Sequence, residues 1–76
     1  MTPAQSRAAR GLVSMTQTDL AKAANLGQST IIDFERERRI VSHEAIAAIR
    51  AALEAAGVEF IPENGGGAGV RLRKVI

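Results

Sequence analysis

Residues 16 to 36 hold the tightest constraint in this chain: two short apolar-patterned runs separated only by Asn25-Leu26-Gly27. The first run opens at Thr16, whose side chain can cap a helix, with Asp19 three residues on, near the positive end of the helix dipole. Leu20, Ala21 and Ala24 then share one face of a helix that runs to about Ala24. Asn25 is the non-glycine residue that best tolerates a left-handed backbone, so it can end that helix abruptly. A second helix starts near Gln28 and continues to about Arg36, with Ile31 and Phe34 three apart and facing inward together. Helices joined by so short a turn must cross closely. Ala21 is small where they cross, Leu20, Ile31 and Phe34 form the apolar wedge between them, and Leu26 plugs the turn into that wedge.

The flanking segments punctuate themselves. Thr2 can cap a first helix, Pro3 suits its first position, and Gln5 stands where a capping box takes Glu or Gln. That helix runs to about Val13, with Ala8, Ala9, Leu12 and Val13 at helical spacing. A fourth helix starts after Ser42, carries Ile46, Ile49, Leu53 and Ala56 as a stripe, and ends at Gly57. Beyond it the period changes. Residues 58–61 and 70–73 alternate, or nearly so, with period two. The stretch between them, residues 62–69, exceeds the usual hairpin loop of about 2–5 residues and reads as a flexible connector. The two strands can pair within one chain or swap across a dimer. The pattern predicts a mostly α fold of four to five helices over residues 1–57. A short C-terminal β-hairpin or dimerisation strand follows over residues 58–76.

Composition narrows the function. A core built from 76 residues supplies only about 3–5 kcal/mol. Without cysteine the extra support cannot be a disulfide, and a second copy of the chain is the simplest partner. The absence of cysteine also fits a reducing cytosol. With no charged-then-apolar leader and no apolar run near the roughly 18 residues of a membrane span, a cytoplasmic protein is expected. Net charge is only +2, too little by itself to indicate nucleic acid. Placement says more: Arg36, Arg38 and Arg39 form one basic knot, and Arg71, Arg73 and Lys74 another. Phe34 and Phe60 are the only aromatics, which argues against a single-strand binder that needs stacking platforms. One histidine, His43, no cysteine and no clustered carboxylates indicate neither an enzyme nor a metal or cofactor site. The run Gly65-Gly66-Gly67 lacks the Lys-Ser/Thr and helix that a phosphate-binding loop requires.

Residues 3 to 56 resemble the Cro and phage-repressor family of regulators, the Xre type. The resemblance is carried by Thr16-Gln17-Thr18-Asp19-Leu20-Ala21-Lys22-Ala23-Ala24, then Leu26, then Ser29-Thr30-Ile31-Ile32-Asp33-Phe34-Glu35-Arg36. It implies a helix-turn-helix that binds double-stranded DNA. The chain departs from the family pattern at three points. Asn25 holds the usual turn glycine's place, Gly27 stands where Ser or Thr often caps the next helix, and Glu37 replaces a common glycine.

With Ile31 and Phe34 inward, the outer face of the third helix carries Gln28, Ser29, Ile32 and Asp33. An α-helix fits the major groove, and residues near its start touch base edges. Gln28 can bond adenine at two points, Ser29 can donate or accept, and Ile32 can meet a thymine methyl. Asp33 can accept from cytosine N4 or orient a neighbouring side chain. The resemblance gives Gln28, Ser29 and Asp33 base-reading roles. Gln17 begins the second helix, where a phosphate oxygen binds well, and the resemblance implies the same role. The candidate phosphate-binding set is Gln17, Thr30, Arg36, Arg38 and Arg39. The resemblance also implies a structural ion pair between Arg10 and Glu35. Val58, Phe60, Val70 and Leu72 are candidate dimerisation residues. The reading is a homodimeric repressor on a pseudo-palindromic operator. The alternatives are an antitoxin-type repressor that also binds a partner protein, and a protein-interaction module that kept the fold without DNA binding.

Overall fold

The computed structural model describes residues 1–73, so Lys74 of the second basic knot lies outside the described residues. Four helices, α1 (Pro3–Val13), α2 (Gln17–Ala24), α3 (Gln28–Glu35) and α4 (His43–Ala55), precede two strands, β1 (Val58–Ile61) and β2 (Gly69–Leu72). Local chemistry sets most of these boundaries. Thr2 Oγ1 accepts from the Gln5 amide at 3.1 Å while Gln5 Oε1 accepts from the Thr2 amide at 2.8 Å, closing a capping box. Thr16 and Asp19 form a second such box, with both bonds at 3.0 Å. Ser42 Oγ accepts from the Ala45 amide at 3.2 Å. Each such cap stabilises its helix by about 1 kcal/mol.

The helices also stop for local reasons. Ser14, Asn25 and Glu37 follow α1, α2 and α3 with φ of 57°, 58° and 56°, all in the left-handed region. After each, the next amide bonds back to a carbonyl five residues earlier: Met15 to Arg10, Leu26 to Ala21 and Arg38 to Asp33. This closure satisfies the carbonyls that a helix end leaves unpaired. Only α4 uses the unstrained solution, Gly57 at φ 109°.

Among the described residues nine form the core: Ala9, Leu20, Ala21, Ile31, Phe34, Val41, Ile49, Leu53 and Val58. Leu26 packs against it from the turn, as the short connection demands. The stripes expected on the first and fourth helices need correction. Ala8 and Leu12 are exposed, and α1 seals the core with Ala9 alone fully buried among the apolar positions predicted there. Ala56 is exposed because α4 ends one residue earlier, and Ala52 packs against the core in its place.

The strands pair antiparallel within one chain, in the register Val58↔Leu72, Glu59↔Arg71, Phe60↔Val70 and Ile61↔Gly69. Gly69 therefore belongs to β2 rather than to the loop, and Arg73 lies just past it. The loop is not the plain connector expected from its glycines. Glu63 Oε1 accepts from the amides of Gly65 and Gly67, each at 2.9 Å. Those two bonds, Gly67 first, hold its carboxyl below the usual range. Gln5 ties the hairpin to α1, its Nε2 donating to the carbonyls of Gly69 at 2.9 Å and Ile61 at 3.4 Å. Among the dimerisation candidates, Val58 is completely enclosed by its own chain and serves the core. Phe60 and Val70 are half-buried, and the Arg50 guanidinium sits over the Phe60 ring at 5.1 Å. Leu72 remains 54% exposed.

Candidate nucleic-acid interface

α3 is fixed to the domain through one face. Ile31 and Phe34 enter the core, and Glu35 is buried beside them. A carboxylate in that position is stable only if it is fully paired. Glu35 accepts from Arg10 Nε at 2.9 and 3.1 Å and from Arg10 Nη2 at 2.8 Å. Ser6 Oγ donates to it at 2.5 Å and Gln17 Nε2 at 3.2 Å. Burial pushes the Glu35 carboxyl up, but the hydrogen bonds from Arg10, Ser6 and Gln17 outweigh burial and hold it below the usual glutamate range. Arg10 Nη1 also donates to the Met15 carbonyl at 3.2 Å, and Arg7 Nη1 donates to the Glu35 carbonyl. One carboxylate thus joins α1, α2 and α3 and sets the rotation of α3.

That rotation determines what faces outward. Gln28 and Ser29 are exposed, and Ile32 and Asp33 are half-buried. Gly27 supplies no side-chain cap; its carbonyl accepts from the Thr30 amide at 3.1 Å, which leaves the Gln28 and Ser29 amides as the open donors of the first turn. Gln17 is half-buried at the start of α2, with its side chain turned to Glu35, which leaves its backbone amide as the group best placed for an outside acceptor. Thr30 is half-buried, and Arg36, Arg38 and Arg39 are exposed in the segment after α3.

Asp33 is not a free carboxylate. Arg39 Nε donates to its Oδ2 at 2.8 Å, and Arg39 Nη2 reaches Thr30 Oγ1 at 3.5 Å. Ile40, the next residue in the chain after Arg39, is 96% exposed. A cleft of about 250 Å³ lies elsewhere, between α1 and the hairpin, and none of its lining residues belongs to α3.

α3 is thus held by one face, exposes Gln28 and Ser29 at its first turn on the other, and is followed by arginines. The model of the helix-turn-helix family matches residues 7–59. The chain belongs to this family. It is a DNA-binding transcription regulator of the Xre type, a regulatory class rather than a generally enzymatic one. A search of curated proteins finds no match. The matched segment of this helix-turn-helix protein spans most of α1, all of α2, α3 and α4, and the start of β1. No helix among the described residues is long and apolar enough to cross a membrane.

Sequence reasoning missed several partners in the helix-turn-helix. Ser6 lies four residues before Arg10, one turn away on the same face of α1, so helical spacing could have placed it at the Glu35 pair. Gln5 was legible as a cap but not as the hairpin's clasp, because nothing local announces a bond across 64 residues. Ile40 gave no signal, since a single exposed apolar residue is ordinary in a loop.

Proposed function

We propose that this protein is a homodimeric repressor that reads a pseudo-palindromic operator with α3 in the major groove. The observation that carries the reading is the two-sidedness of α3. Its inner face is pinned by Ile31, Phe34 and Glu35, while Gln28 and Ser29 stand exposed at its first turn. Gln28 would bond an adenine edge, Ser29 a neighbouring base, and Ile32 a thymine methyl. The Gln17 amide, Thr30, Arg36 and Arg38 would hold phosphates on either side of the groove, setting affinity and register without reading sequence.

A second copy of the chain would double the contact area and place two α3 helices about 34 Å apart on one face of the duplex. The hairpin is the proposed contact, with Leu72 as its exposed apolar residue and Phe60 and Val70 beside it. Val58 would support that surface from within the core.

Selection from a random duplex pool, followed by binding measurements at several salt concentrations, tests the reading. A palindromic site with a steep salt dependence is expected. Gln28→Ala should relax preference at one base pair by about 1–3 kcal/mol. Leu72→Glu should convert a sedimenting dimer to a monomer. Failure of the full chain to bind duplex above background at low salt would refute the regulator role.

A further inference from the structure

Arg39 was expected as a phosphate clamp and Asp33 as a reader of bases. The hydrogen bonds between them point to the reverse. A guanidinium has two donating edges: the side edge of Nε and one Nη2 hydrogen, and the end edge shared by Nη1 and Nη2. Here the side edge is occupied, with Nε on Asp33 Oδ2 at 2.8 Å and Nη2 directed to Thr30 Oγ1 at 3.5 Å. Thr30 and Asp33 lie one turn apart on α3, so the two contacts lay the guanidinium along the flank of the reading helix. Among the described residues no acceptor takes the end edge.

Accessibility divides the pair in the same way. The Asp33 side chain is 22% exposed and that of Arg39 51% exposed. The carboxylate is the less accessible partner and already gives Oδ2 to its arginine. The arginine can meet an acceptor pair while keeping its carboxylate. Two parallel N–H donors match the O6 and N7 of guanine in the major groove, the commonest specific contact an arginine makes with DNA. A phosphate can take the same paired donors, but a phosphate contact reads no sequence, so selectivity for one base is what separates a reader from a clamp.

We propose that Arg39 is a base-reading residue that selects guanine, and that Asp33, with Thr30, is its positioning residue. The proposal rests on the DNA-binding reading above and adds a specificity contact at the exit of α3.

The test uses the full chain and the operator it selects, with each base pair substituted in turn. The variants are Arg39→Lys and Asp33→Asn, with circular dichroism to confirm their fold. The wild type should prefer guanine at one position by about 5- to 150-fold. Both variants should lose that preference and keep the others. Arg39→Lys should also keep the salt dependence, since its charge is unchanged. A clamp behaves otherwise. Arg39→Lys would then retain every preference, and Asp33→Asn would tighten binding to all sequences alike by removing a negative charge. Either result overturns the proposal. Loss of the preference in Asp33→Asn alone would make Asp33 the reader and refute it as well. Should Asp33→Asn fail to fold, Arg39→Lys still decides between reader and clamp. A wild-type chain that selects no operator sinks the regulator reading itself, whereas an operator indifferent to Arg39 sinks only this proposal.

Discussion

The two faces of α3 each carry an arginine–carboxylate pair, and the pairs differ in kind. On the inner face Glu35 is 1% exposed at its side chain and shares its oxygens among Arg10, Ser6 and Gln17. On the outer face Asp33 meets Arg39 in an exposed pair flanked by solvent. The same two functional groups therefore serve opposite ends. Buried and multiply bonded, the pair fixes a helix. Exposed and singly bonded, it leaves donors over for something outside the chain.

The sharpest way to break this comparison is to remove each carboxylate. Glu35→Ala strands the Arg10 guanidinium in a part-buried site and should cost about 3 kcal/mol or more. That approaches the whole stability of a core this small. Thermal melting should show a chain unfolded or nearly so at 25 °C. The acid limb follows from the same site. The folded Glu35 carboxyl titrates below the usual range, so its contribution is complete above the ordinary glutamate value of about 4.3 and is lost as pH falls through the folded value. Glu35→Gln should flatten that acid limb. An unchanged acid profile would mean the network contributes little.

Gln5→Glu probes how far the inner scaffold extends. It keeps the acceptor for the Thr2 amide but turns a carboxylate toward the Ile61 and Gly69 carbonyls. A loss of about 2 kcal/mol is expected, with hairpin amides exchanging faster than those of α3. Glu37→Gly moves in the opposite direction. Glycine relieves a left-handed residue worth about 1 kcal/mol, offset in part by chain entropy, so a modest rise in melting temperature is expected. Duplex affinity should rise for all sequences alike, because a negative charge leaves the surface beside α3. The smallest effect belongs to the outer pair: Asp33→Asn should change stability by no more than about 0.5 kcal/mol. A loss rivalling that of Glu35→Ala would erase the distinction between the two faces.

The sequence made the inner face legible and the outer one only in outline. Caps at Thr2, Thr16 and Ser42 act within three residues, so their helices begin where the residues say they should. Ile31 and Phe34 faced inward as their spacing required, which fixed by elimination what faced out. Helical spacing puts Asp33 on the outer face, yet its choice of partner depends on the path of residues 36–39. That path hinges on Glu37, a residue type that does not advertise a left-handed turn. Strand pairing within one chain was equally beyond local reading, since period two is the same whichever copy supplies the partner.

The Gln5 clasp bears on the order in which the molecule assembles. Its two carbonyl partners lie 56 and 64 residues along the chain. Contacts that distant close late, because loop entropy is lost before the contact returns anything. α2 and α3, by contrast, meet across a connection of three residues, 25 to 27. Refolding should therefore recover helical circular dichroism before the hairpin amides gain protection from exchange. On that schedule the surface proposed to face DNA takes shape ahead of the strands proposed to join two copies, and the proposed pairing of protomers is the last event rather than the first.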